Sequence, residues 1–440
     1  MTAELITDRP YLDDIEVADR STLRKLQEQR LLELVPYAYE HSALTRSVWQ
    51  AAGVHPRDIR TIDAFTERAP YMNKQMIRDF RSRTSDPWGG LLCMKPGALA
   101  YLATTTGTSG VPTPLVRGKT TPQMPNLEAR NYWMIGLRPD EYFVWYSGTS
   151  RGGHYHPGSA FDWKSIFVQH STERRDLQQL FEVSQEYKPT ILRYLSNAVI
   201  LALDELAQEL RIDVREVFSC YRAVVRGGEP ISAKAAELAS EWGITLFDMT
   251  SLCDITVAWE CDAHNGHHTW EDAVLVEYVE PWGDGPASPG TRAELVGTSL
   301  LERGGPFVRY RSDDLVEFTH ERCACGRTHG RMWTVGRKGD ETIVGGRSVM
   351  PIDVRKVVEV LEATSDGLFQ IVRQDREVDV LRLRMGYRPD WVSGSMSSLR
   401  SDVTDLLIAT LDIPVEVELV EYNELLKLGP PTKIPRVVPS

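Results

Sequence analysis

Between about residues 98 and 250 the sequence alternates short apolar runs with amphipathic stretches, and this limits the chain to few folds. Apolar runs near 98–103, 142–146, 189–193 and 221–225 are separated by helical patterns near 122–135, 173–186, 196–210 and 232–242. Strands and helices in strict turn predict a mostly parallel sheet with helices on its faces. The flanking texture differs. Residues 1 to about 45 read as helical, with Ser21-Thr22 as a cap and Leu23, Leu26, Leu31, Leu32, Leu34 and Val35 on one face. From about 254, short runs such as Val274–Val279 and Ala293–Val296 predict strands, with others near 307–310 and 314–318. After about 338, Pro351 opens a helical stretch to about 362. Strands near 368–373 and 379–385, a helix near 395–409 and a strand near 415–420 complete an αββαβ unit. The expected fold class is α/β (mixed α+β). A large N-terminal domain of sheets with packed helices spans 1–337, its part from 254 to 337 β-rich, and a small αβ domain spans 338–440.

Composition narrows the function. Of 440 residues, 42% are hydrophobic, and the formal net charge is -12. An acidic chain lacks the basic face that nucleic acid requires. No run of about 18 apolar residues occurs, so no membrane span is expected. The start, Met1-Thr2-Ala3-Glu4-Leu5, lacks the basic and apolar regions of a signal peptide, which points to the cytoplasm. Six cysteines are too few for a disulfide framework at this length and are expected as thiols or metal ligands.

One polar stretch stands between two of the apolar runs: Thr104-Thr105-Thr106-Gly107-Thr108-Ser109-Gly110-Val111-Pro112-Thr113. Glycine lets backbone approach a ligand closely, and amides and hydroxyls offer donors to an anion such as a nucleotide phosphate. No Gly-Lys-Ser/Thr follows, so it is not the kinase-like phosphate loop. A second cluster is metal-like. Glu260-Cys261 is followed by Gly266-His267-His268 and later by Cys323-Ala324-Cys325. Three thiols and an imidazole suit tetrahedral zinc, and four protein ligands leave no open position, so the expected role is structural.

Further stretches fall in order: Arg226-Gly227-Gly228-Glu229-Pro230, Phe247-Asp248-Met249-Thr250, Arg309-Tyr310-Arg311-Ser312-Asp313-Asp314, Gly336-Arg337-Lys338-Gly339-Asp340 and Gly429-Pro430-Pro431-Thr432-Lys433-Ile434-Pro435-Arg436. Together with the threonine loop they resemble the adenylate-forming enzymes, and within them the phenylacetate–coenzyme A ligase family, from about residue 10 to 436. The resemblance implies a large domain and a small mobile one, joined near Arg337. It implies that a carboxylate attacks the α-phosphate of ATP to give an acyl-adenylate, and that coenzyme A then displaces AMP. Thr105, Thr106, Gly107, Thr108, Ser109 and Gly110 would hold the β- and γ-phosphates. Gly228, Glu229 and Pro230 would wall the adenine, Phe247 would stack on it, and the backbone of Asp248, Met249 and Thr250 would fix its edge. Asp314 would accept from the ribose hydroxyls, Arg337 would reach ribose or phosphate, and Lys433 would be the catalytic cation. The implied cofactors are ATP, Mg2+, coenzyme A and structural Zn2+. Register within the family favours Cys261, His268, Cys323 and Cys325 as ligands, over His267 and with His264 as a further candidate. The acid would lie by Trp145, Tyr146, Ser147 and His154, whose rings suit an aryl acid such as a hydroxy- or aminobenzoate.

Three positions depart from the family pattern. Ser251 stands where a magnesium-binding glutamate is usual, with Asp254 three residues on. Val111 replaces a lysine, and Gly339 replaces an aspartate. Two rival readings follow. The acyl group passes to an acyl carrier protein thiol or an amine instead of coenzyme A, or the chain is a degenerate nucleotide-binding homologue without turnover. The partner expected is a small-molecule carboxylic acid, and the chain is expected as a monomer or homodimer.

Overall fold

The computed structural model describes residues 9–104, 114–119, 127–139, 141–147, 164–252, 255–428 and 434–439. They fall into two compact units. One gathers residues of Met1–Pro139 and Met249–Thr334; the other gathers residues of Asp140–Gly152, Trp163–Asp248 and Val335–Ser440.

The second unit contains the expected parallel sheet. Strands Ala223–Gly227, Ile191–Leu195, Tyr142–Ser147 and Lys164–Gln169 lie side by side in that order, all parallel. Lys164–Gln169 has no counterpart in the sequence reading. Its apolar run is only Ile166-Phe167-Val168, and of its six residues only Val168 is buried. Helices Arg174–Tyr187, Asn197–Leu210 and Ala233–Glu241 pack through Leu177, Leu180, Phe181, Val199, Leu203, Leu206 and Leu238 into one apolar cluster with Val144, Leu192 and Val224 of the strands.

The C-terminal part of this unit follows the αββαβ pattern. Helices Pro351–Val358 and Met396–Leu411 accompany the strand order Val415–Glu421, Leu381–Tyr387, Phe369–Val372, Val437–Val438. Its own core holds Val354, Phe369, Leu383, Val403 and Leu407. Leu368, Tyr422, Leu425 and Ile434 instead join the cluster under the parallel sheet. Burial of such side chains stabilises by roughly 1.5–3 kcal/mol each.

The first unit opens with helices Arg20–His41 and Ala43–Ala51. The cap of the first is Asp19, not Ser21-Thr22. The Asp19 carboxylate accepts from the Thr22 amide at 2.8 Å, and both hydroxyls turn back to it. Val274–Val279, Ala293–Ser299 and Tyr310–Thr319 form an antiparallel sheet. The strands expected at 307–310 and 314–318 are largely one, since the chain bends at Asp313, with φ +64°, without leaving it. Leu99–Thr104 and Pro114–Gly118 pair antiparallel, bringing Thr104 opposite Pro114, so the threonine loop joins paired strand ends.

The N-terminal segment docks far along the chain. Tyr11 donates to the Cys325 carbonyl at 2.9 Å, the Thr328 amide donates to the Glu16 carbonyl at 3.2 Å, and Arg327 pairs with buried Glu16 at 2.8 Å. Arg130, itself buried, bridges Asp13 at 2.7 Å and Asp272 at 2.9 Å. Breaking one partner of such a buried pair costs about 3–5 kcal/mol.

Candidate active site and metal centre

In parallel sheets, ligands bind outside the carboxyl ends of the strands. Tyr146, Ser147, His170, Tyr194 and Gly228 lie at or just beyond those ends. Tyr194 has φ +76°, rare for a tyrosine, at a register shift between Ile191–Leu195 and Ala223–Gly227. Its hydroxyl occupies the space a side chain on Gly228 would need, 2.7 Å from where a Cβ would lie, and Gly228 itself has φ +87°. Only glycine combines that backbone with that clearance. The turn beyond is braced. Arg226 donates to the Glu229 carbonyl at 2.7 Å and pairs with Asp248 at 2.9 Å, while Asn197 donates to the Pro230 carbonyl at 3.0 Å. The Glu229 carboxylate pairs with Arg436 at 3.2 Å.

Beside the turn lies a group of rings. His170, 3% exposed, meets Tyr146 at 4.7 Å and Tyr194 at 5.2 Å, both edge to face. Burial pushes the His170 pKa down to about 4, so the imidazole is neutral. Tyr146 donates to the Ser171 carbonyl at 3.0 Å, and Trp145 is covered by Arg193 at 4.4 Å.

The metal-like cluster is assembled. Ligand atoms of Cys261, His268, Cys323 and Cys325 all lie within 4.8 Å of one another. Cys261 and Cys323 sulfurs are 3.7 Å apart, and Cys325 Sγ lies 3.4 Å from His268 Nε2. Zinc at about 2.3 Å from sulfur and 2.0 Å from nitrogen sets tetrahedral ligands about 3.5–3.8 Å apart, so this donor set fits the ion. His267 and His268 are adjacent in a strand and point to opposite faces, and His267 Nδ1 instead meets the Met332 carbonyl at 3.1 Å. His264 pairs with Glu260 at 3.3 Å. The group shares protons: its hydrogen bond to Cys325, then burial, raise the Cys261 pKa, while the same bond, against burial, draws Cys325 down to about 2.

The remaining expected residues lie on other elements or outside the described residues. Phe247 is buried at 5% exposure, and Met249 and Thr250 pair with Trp259 and Ala258. Asp314 lies in Tyr310–Thr319, its amide bonded to Ser312 Oγ at 3.0 Å, and Arg337 ends Arg331–Arg337 exposed. Thr105, Thr106, Gly107, Thr108, Ser109, Gly110, His154, Asp254 and Lys433 lie outside the described residues, as does the Ser147 side chain. Sequence reasoning quoted Arg226 in a motif without giving it a role, and missed His170 and Tyr194. Arg226 carried a signal, as a charge directly after the apolar run 221–225; the other two carried none.

No family model matches the chain. The phenylacetate-coenzyme A ligase of Thermus thermophilus is 29% identical over 389 residues, 85% of this chain and 84% of the relative. That of Escherichia coli is 28% identical with the same coverage. Among solved structures, 2-hydroxyisobutyryl-CoA ligase in the postadenylation state with 2-HIB-AMP superposes with a TM-score of 0.85 at 21% identity, covering 98% of this chain and 93% of that one.

Proposed function

We propose that the chain belongs with the phenylacetate–coenzyme A ligases among the adenylate-forming enzymes, and that it activates an aromatic carboxylic acid with ATP and passes the acyl group to coenzyme A. The observation that carries this is likeness along most of both chains to acid–thiol ligases, in sequence and in fold. In the first step a carboxylate oxygen bonds to the α-phosphorus of ATP and pyrophosphate leaves. In the second the coenzyme A sulfur bonds to the acyl carbon, AMP leaves, and the thiol proton goes to solvent.

The residues divide the work. Arg226 and Asn197 hold the Gly228–Pro230 turn rigid, so an adenine laid against it meets a surface that needs no reorganisation. Phe247 and the strand around Asp248 would bound the base. Asp314 would take the ribose hydroxyls, the threonine loop the phosphates, and Lys433 would stabilise charge at the α-phosphate. The rings of Trp145, Tyr146 and His170 favour an aryl acid over an aliphatic one. Ser251, exposed in its strand, offers magnesium no carboxylate at that register, so no step is routed through that metal. The Cys261, His268, Cys323 and Cys325 set would hold structural zinc, which when bound cross-links the 261–268 and 323–325 segments.

The test is acid-dependent exchange of labelled pyrophosphate into ATP across a panel of aryl and alkyl acids, followed by AMP release on addition of coenzyme A. Exchange without coenzyme A-dependent release would move the acceptor to a carrier thiol or amine. No exchange with any acid would leave a nucleotide-binding homologue.

A further inference from the structure

The ion pair between Glu229 and Arg436 joins the turn proposed to wall the adenine to the segment that follows Lys433 in sequence. Both side chains are mostly buried, at 15% and 16% exposure. Arg436 is anchored on its own side as well as by Glu229. It donates to the Gly367 carbonyl at 2.9 Å and the Phe369 carbonyl at 3.2 Å, and lies over the Phe369 ring at 4.8 Å. The segment around it is fixed at each residue. Ile434 is 3% exposed in the cluster under the parallel sheet. The Pro435 carbonyl accepts from Gln370 at 3.2 Å, the Arg436 carbonyl from the Ile371 amide at 2.7 Å, and Val437 pairs with Ile371.

Another ion pair joins the same two parts of the unit, between Arg388 and Glu205 at 2.6 Å. Glu205 is 64% exposed, so that pair is screened and weak. The Glu229 pair is sheltered, and its turn is held from behind by Arg226, so a displacement of Arg436 is felt at the wall. The Glu229 carboxylate is thus engaged by the C-terminal segment, leaving the backbone of the turn to face the base.

We infer that Glu229 and Arg436 are positioning residues for adenylation, their ion pair seating the segment after Lys433 on the Gly228–Pro230 turn. This rests on the ligase reading above. A shift of about 1 Å in a reacting group costs up to a hundredfold in rate.

Glu229→Gln keeps shape and removes the charge; Arg436→Lys keeps the charge and loses the planar fork. For Glu229→Gln the pyrophosphate-exchange kcat should fall about tenfold to a hundredfold, with the KM for ATP changed less than about twofold. Arg436→Lys should fall between this variant and wild type, and the double variant should be no slower than Glu229→Gln alone. Independently of activity, hydrogen exchange at Ile371 and across 434–438 should quicken in Glu229→Gln. A loss confined to the KM for ATP would make Glu229 a nucleotide contact and overturn the inference, as would unchanged amide exchange or additive losses. If Glu229→Gln fails to fold, the Arg436→Lys amide and kcat readouts decide on the same terms. Absence of exchange in the wild type would fail the ligase reading, while the amide readout would still judge the pair.

Discussion

The Cys261 sulfur stands 3.7 Å from that of Cys323, although 62 residues separate them in the chain. Two thiolates on one tetrahedral zinc stand about that far apart. Native protein should carry about one zinc per chain by metal analysis. Cys323→Ser/Cys325→Ser should lose it and melt at a lower temperature. Retention should fall as pH drops, because protons compete for the thiolates. A native preparation free of metal would remove the zinc assignment.

Gly228→Ala places a Cβ 2.7 Å from the Tyr194 hydroxyl at φ +87°. Left-handed backbone costs a non-glycine residue about 1–2 kcal/mol before any clash. Lower stability and slower adenylation should appear together, and Gly228→Ala/Tyr194→Phe should recover part of the loss. A variant with wild-type melting and exchange rates would show that the turn tolerates a side chain.

His170 gives a prediction in pH. Its pKa falls from 6.5 to about 4 on burial. Above 6.5 neither folded nor unfolded chain is protonated there, and the stability is fully present. As pH drops from 6.5 through 4 the unfolded chain takes a proton that the folded chain refuses, and stability falls by about 3 kcal/mol from this group. Denaturant midpoints at pH 7.5 and 4.5 should differ more in wild type than in His170→Phe. Equal differences would mean that His170 titrates normally.

Lys433→Ala should abolish or greatly slow pyrophosphate exchange while leaving melting within a few degrees of wild type. The cation is proposed to act only on charge developing at phosphorus. Exchange at wild-type rates in this variant would end the catalytic assignment.

The fold was legible wherever pattern and burial coincide. Ile191–Leu195 and Ala223–Gly227 are apolar runs because parallel strands covered by helices bury both faces. Lys164–Gln169 escaped because its apolar run, Ile166-Phe167-Val168, is only three residues long, as suits a strand with four of six residues exposed. The Asp19 cap was misplaced by two residues because three capping side chains stand close together there. The Cys261, His268, Cys323 and Cys325 cluster was readable because thiols are rare and Cys323-Ala324-Cys325 are close in sequence. The Tyr194–His170 contact was not: it depends on a left-handed tyrosine at a register shift, which no residue pattern announces.

Glu16 and Arg327 close a separation of 311 residues. At ribosomal rates of about 5–20 residues per second, roughly 15 to 60 seconds pass between the synthesis of one and the other. Until then the Glu16 carboxylate has the Leu12 and Asp13 amides of its own turn, but not the guanidinium it is buried with. Asp13 can meet Arg130 sooner, so the segment around residues 9–16 is docked in two stages, and the second is completed only once the 325–329 loop has been translated.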